Sequence, residues 1–196
     1  MARPRATGRN GQRRSLKMVV TGPYGAGKTT LISSISEIPV LSTERPVTDD
    51  DGEAVAKRAT TVAMDFGRLS IGDDLALHLY GTPGQRRFDF MWEILADGML
   101  GFVVLVDGAT DETIADTKQI LSFFTETAQV PYVVAVTKVD EGEDDAVAEA
   151  RTQLEIPDEV RVVSCDARDR ESVKVVIVEL LQTVLEEVAG SVPANA

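Results

Sequence analysis

The chain has one cysteine, Cys165, one histidine, His78, and one tryptophan, Trp92. A lone thiol excludes an internal disulfide and fits a reducing cytosol. No apolar run is long enough to cross a bilayer. The arginines near the N-terminus are followed by no hydrophobic stretch, so a secretory signal is not expected. The Met-Ala start and the Pro-Ala-Asn-Ala end carry neither a myristoylation nor a prenylation pattern. A cytoplasmic protein is the expectation.

What is present is ordinary for a globular chain: 43% hydrophobic and 27% charged residues over 196 positions, enough for one domain with a substantial core. Charge is unevenly placed. Residues 1–17 carry six basic groups (Arg3, Arg5, Arg9, Arg13, Arg14, Lys17) and no acidic one, and removing them from the formal −12 leaves −18 on the rest. A body this acidic argues against nucleic-acid binding. The basic tail suits weak contact with anionic lipid or an acidic partner. Its glycine and proline content also reads as a solvated, disordered leader over 1–15. The expected domain is 16–190, with a disordered end at 191–196.

Short apolar runs alternate with helical spacing. LKMVVT (16–21) reads as a buried strand, followed by a glycine-rich loop and a helix ending before Pro39. Residues 39–60 have no period and read as a long flexible loop. TVAMDFGRLSI (61–71) and LALHLYG (75–81) read as two strands joined at Gly72-Asp73-Asp74. FDFMWEIL (88–95) is helical. It has too many apolar residues for one buried face, so part of it is a candidate docking patch on the surface, with burial in the core as the other reading. Strands at 99–108, 130–140 and 160–165 alternate with helices at 111–126, 142–154 and 171–188. The pattern is that of a largely parallel sheet covered on both faces. His78 reads as structural.

Gly22-Pro-Tyr-Gly-Ala-Gly27-Lys28-Thr29 fits GxxxxGK[ST] between a strand and a helix. Glycines let backbone N–H groups turn inward around phosphate, and the following helix points its positive end there. Gly22, Tyr24, Gly25, Ala26, Gly27, Lys28, Thr29 and Thr30 are the candidate phosphate-binding set. In it Lys28 reaches the β- and γ-phosphates, and the Thr29 hydroxyl takes Mg²⁺. The fold expected is therefore an α/β P-loop NTPase: three layers, with a mostly parallel six-stranded sheet containing one antiparallel strand.

The loop does not choose the base. Thr137-Lys138-Val139-Asp140, ending a strand, resembles the NKxD motif of Ras-like small GTPases, with Thr in the Asn place. A carboxylate there accepts both guanine N1–H and the exocyclic amine, a donor pair that adenine lacks, and the Lys138 stem lies along the base. Asp166-Ala167-Arg168 stands in the place of that family's SAK motif, with the Ala167 N–H toward guanine O6 and Asp166 bracing the loop. LYGTPGQRRF (79–88) resembles the family's DTAGQ segment. By that resemblance Gly84 presents its N–H to the γ-phosphate and Gln85 orients the attacking water. Gly81 stands where the family has its Mg²⁺-associated Asp, and this is the most serious departure. Thr61, with Thr60 as alternative, is the candidate for the second Thr on Mg²⁺. Asp65 is expected to face out from its strand and is given no metal role. Arg58, or Arg86 and Arg87, are candidates for a catalytic arginine in cis.

The resemblance covers about 17–190 and is nearest to a bacterial group of Ras-like GTPases akin to MglA and the actinobacterial conservon GTPases. It implies a GTP/GDP switch with Mg²⁺ and slow hydrolysis, and a Roadblock/LC7-type regulatory partner. Two other readings stay open: a non-hydrolysing pseudo-GTPase that only recruits partners, which Gly81 favours, and a P-loop ATP-dependent kinase.

Overall fold

The computed structural model describes residues 14–42, 64–84, 90–107, 111–139 and 143–191. In chain order the elements are β1 (Arg14–Thr21), α1 (Lys28–Ile35), β2 (Leu41–Ser42), β3 (Asp65–Ile71), β4 (Leu75–Gly81) and α2 (Phe90–Ala96). They continue with β5 (Gly101–Asp107), α3 (Asp111–Thr127), β6 (Tyr132–Thr137), α4 (Glu143–Gln153), β7 (Arg161–Cys165) and α5 (Arg170–Ser191).

The sheet order is β2-β3-β4-β1-β5-β6-β7. Strands β4, β1, β5, β6 and β7 run parallel, each to its neighbour, and β3 is antiparallel to β4 and β2. The six strands expected from the sequence are thus present, with one antiparallel member. The two-residue β2 adds to the edge, within the stretch read as loop. Arg14 and Ser15, assigned to the tail by composition, belong to β1, where they pair with Leu75 and Ala76. The hairpin expected at residues 72–74 joins β3 to β4. Among the described residues no helix is long and apolar enough to cross a membrane.

Fully buried strands need an apolar layer on each side. Met18 and Val20 of β1 pack with Leu31, Ile32 and Ile35 of α1 and with Val173, Val176, Ile177 and Leu180 of α5. Their alternate neighbour Val19 faces the other layer, with Trp92 and Leu95 of α2, Ile120 and Phe124 of α3, and Ala150 of α4. Phe102 of β5 stacks on Tyr132 of β6 within that second layer. From β1 the chain leaves to one side of the sheet, through β3 and β4, and then crosses to β5 on the other side. The strand order reverses around β1, and the carboxyl ends of β1 and β5 form the crevice where open α/β sheets hold ligands.

Candidate functional site

The loop between β1 and α1 stands at that crevice. Gly22 has φ +140°, and a Cβ there would lie 2.4 Å from the Leu105 carbonyl oxygen of β5, so only glycine fits. Gly27 caps α1 without a side-chain hydrogen bond, which leaves the first-turn N–H groups for an anion. Lys28 is 8% exposed, and its ammonium donates to the Gly22 carbonyl at 2.9 Å and the Pro23 carbonyl at 2.7 Å. The charge is therefore held at the mouth of the loop. Ala26 is buried, while Gly25 and Thr30 are exposed. Tyr24 is 70% exposed.

The segment after β4 closes over this loop. Gly84 lies so near that a Cβ on it would sit 2.7 Å from Tyr24 Cα and 2.9 Å from Lys28 Nζ. Beneath, the buried Thr21 and Thr82 hydroxyls share a 2.9 Å hydrogen bond and join the ends of β1 and β4.

One expectation is corrected. Asp65 does not face outward. It is 8% exposed, and the Thr29 hydroxyl donates to its Oδ2 at 2.5 Å. The phase of β3 explains this. Gly67 packs against Ile32 and Ser36 of α1, with a Cβ there only 2.5 Å from Ile32 Cγ2. Residues two apart share a face, so Asp65 points to the α1 side as well.

On the base-reading side, Thr137 ends β6 with its hydroxyl 3.0 Å from the Ala26 carbonyl and 3.3 Å from the Val106 carbonyl. Lys138 follows with φ +61°, unusual for a residue with a side chain. Its ammonium pairs with Asp107 Oδ2 of β5 at 2.6 Å, and the Asp107 carbonyl accepts from the Thr113 hydroxyl at 2.7 Å. Ala167 comes within 3.4 Å of the Cβ position of Gly27. Asp166 braces its own turn: its Oδ1 accepts from the Arg168 N–H at 2.9 Å and from the Arg168 guanidinium at 3.0 Å. These bonds, the side-chain one first, hold its carboxyl below the usual carboxylate range. Burial pushes the neighbouring Cys165 thiol up to about 11.

The structure thus gathers Gly22 to Thr30, Gly84, Thr137, Lys138, Asp166, Ala167 and Arg168 along one edge of the sheet. Arg58, Thr60, Thr61, Gln85, Arg86, Arg87 and Asp140 lie outside the described residues. Sequence reasoning missed two carboxylates, Asp65 and Asp107. The apolar and polar alternation of β3 carried a signal for the first, and the strand-end position of Asp107 one for the second.

The chain belongs to the family described as "conserved hypothetical ATP binding protein", whose model matches residues 43–187. That span includes Gly84, Thr137 and Ala167 and begins after the phosphate loop. An uncharacterized protein of Methanocaldococcus jannaschii is 34% identical over 66% of this chain and 74% of its own length. An elongation factor G-like protein of Mycobacterium tuberculosis is 34% identical over 71% of this chain but 20% of its own length, so the chain spans one fifth of that relative. With the loop geometry above, the chain is a nucleotide-binding P-loop NTPase.

Proposed function

We propose that the protein is a guanine-nucleotide switch of the Ras-like kind, which binds GTP and GDP with Mg²⁺ and hydrolyses GTP slowly. The observation that carries this reading is the Thr137–Ala26 hydrogen bond. It ties the segment with the TKxD pattern directly to the phosphate loop, while Ala167, in the turn after β7, borders the same loop. A base seated between those two segments has its phosphates at Gly22–Thr29. The likeness to an elongation factor G-like protein supports the choice of GTP. In this reading Asp140 accepts the two guanine donors, and Gly84 offers its N–H to the γ-phosphate. Gln85 orients water, with Arg58 as candidate for a further charge.

The donor chemistry suits Mg²⁺. A threonine hydroxyl, waters and phosphate oxygens are the hard oxygen ligands this ion takes. Thr29 would hold it, with Thr61 as the second candidate ligand, and the bound ion would offset negative charge on the phosphates. Lys28 supplies the second positive charge.

A second reading, ATP as ligand, is favoured by the family's description. Competition decides between them. GTP and GDP are expected to displace a fluorescent GDP from the purified protein while ATP at equal concentration does not; equal displacement by ATP refutes the guanine assignment. Single-turnover assays of the protein and its Gln85→Leu variant test hydrolysis. Loss of cleavage in the variant alone supports the enzyme, and no cleavage in either favours the non-hydrolysing module.

A further inference from the structure

We infer that Asp65 is the metal-side carboxylate of this site, carried on β3 because β4 ends in glycine. The inference rests on the nucleotide·Mg²⁺ reading above and adds to it the group that holds the ion on the sheet side.

Gly81 is the last residue of β4, next to the phosphate loop strand β1, and it has no side chain to offer. Its antiparallel register partner is Asp65, the first residue of β3. The two strands run in opposite directions, so the start of β3 lies level with the end of β4, at the phosphate edge of the sheet. A Cβ built on Gly81 would lie 3.0 Å from Asp65 Cβ and 3.2 Å from Asp65 Oδ2. The Asp65 carboxylate thus occupies the place that a side chain from β4 would take.

Its contact fits the role. The Thr29 hydroxyl, the ligand oxygen that follows Lys28, is 2.5 Å from Asp65 Oδ2. An ion held by that hydroxyl has the carboxylate within reach, as ligand or as acceptor for one of its waters. Among the described residues the partner of this carboxylate, 8% exposed, is a neutral hydroxyl; burial is costly on those terms, and a divalent cation at the same place offsets that cost. Gly81 is therefore part of the site by being small: a side chain there presses on Asp65 and on Ile32 Cδ1, also 3.0 Å from that Cβ position, and both must give way.

The test is nucleotide release from the full chain. Fluorescent GDP, and fluorescent ADP in parallel, is chased from the wild type and from Asp65→Asn, Gly81→Asp and Asp65→Ala/Gly81→Asp, each with Mg²⁺ or with EDTA. Asp65→Asn keeps the size and the acceptor for Thr29, and a melting curve confirms that it folds. Mg²⁺ should slow release from the wild type by about tenfold or more, and Asp65→Asn should lose most of that slowing with its EDTA rate unchanged. The double variant, which moves the carboxylate to β4, should recover part of it. Wild-type Mg²⁺ dependence in Asp65→Asn overturns the inference, as does Mg²⁺-independent release from the wild type. Failure of the wild type to bind either nucleotide in EDTA and in Mg²⁺ instead removes the nucleotide reading beneath it.

Discussion

The Thr137 hydroxyl meets the Ala26 carbonyl at 3.0 Å, across 111 positions of sequence, and fastens the end of β6 to the phosphate loop. Both groups are buried, so removal of the donor leaves an acceptor short of a partner. Thr137→Val is expected to lower stability by about 1–2 kcal/mol in urea unfolding and to weaken GDP binding as the loop loosens. Full retention of GDP affinity at reduced stability would show that the bond serves the fold alone.

Lys138 is held in a left-handed conformation with its ammonium on Asp107. The Lys138 side chain is 55% exposed and that of Asp107 15%, so the pair should add little to stability, under about 1 kcal/mol. Its expected effect is on the ligand, because the pair fixes where the lysine stem runs. Asp107→Ala should weaken GDP by about threefold or more, roughly 0.7 kcal/mol, with an unfolding midpoint close to wild type. Isothermal titration checks the first and urea the second.

Gly84→Ala adds a methyl where Tyr24 Cα is 2.7 Å away and Lys28 Nζ 2.9 Å away. The segment after β4 must then stand off from the loop. Single-turnover GTP hydrolysis is expected to fall by about tenfold or more, ~1.4 kcal/mol in the barrier. GDP affinity should change less than about threefold. An unchanged hydrolysis rate would mean that Gly84 does not act in the reaction.

Cys165 gives a pH prediction. Burial raises its thiol from 9.0 to about 11 in the folded chain. Between those values the unfolded chain has lost the proton that the folded chain still binds, so stability falls as pH rises. Below about 9 both states are protonated and this group adds no slope. Melting temperatures measured from pH 8 to 11 should fall less steeply in Cys165→Ala than in wild type. The native thiol should also react slowly with a disulfide reagent at pH 8 and quickly once the chain is unfolded.

The phosphate loop, the strand order's alternation with helices and the 72–74 turn were legible because each depends on local residue types. Asp65 was not. The sequence run reads as a strand from 61, whereas β3 begins at Asp65, and its inward phase depends on Gly67 meeting Ile32 and Ser36, contacts made between elements distant in sequence. The tail boundary slipped for a similar reason. Arg14 and Ser15 have no strand preference of their own and are held by the ladder to β4, with the Arg14 N–H donating to the Asp74 carbonyl. Two residues such as Leu41 and Ser42 carry no period at all, so β2 exists only through its pairing with β3. For Thr137, the sequence showed a substitution for Asn, and the structure supplies its contact with the loop. Asp107 looked like the polar end of an apolar strand until Lys138 was placed beside it.

Trp92 is 4% exposed, lies against Phe123 and Phe124, and its indole N–H has no hydrogen-bond partner among the described residues. It borders a small recess with Pro23 of the phosphate loop and Gly84 of the closing segment. As the chain's single indole, it makes the protein its own optical reporter. Any step that moves Gly84 relative to Pro23 alters the dielectric around one chromophore, so such motion can be timed by stopped-flow emission on unlabelled, unmutated protein.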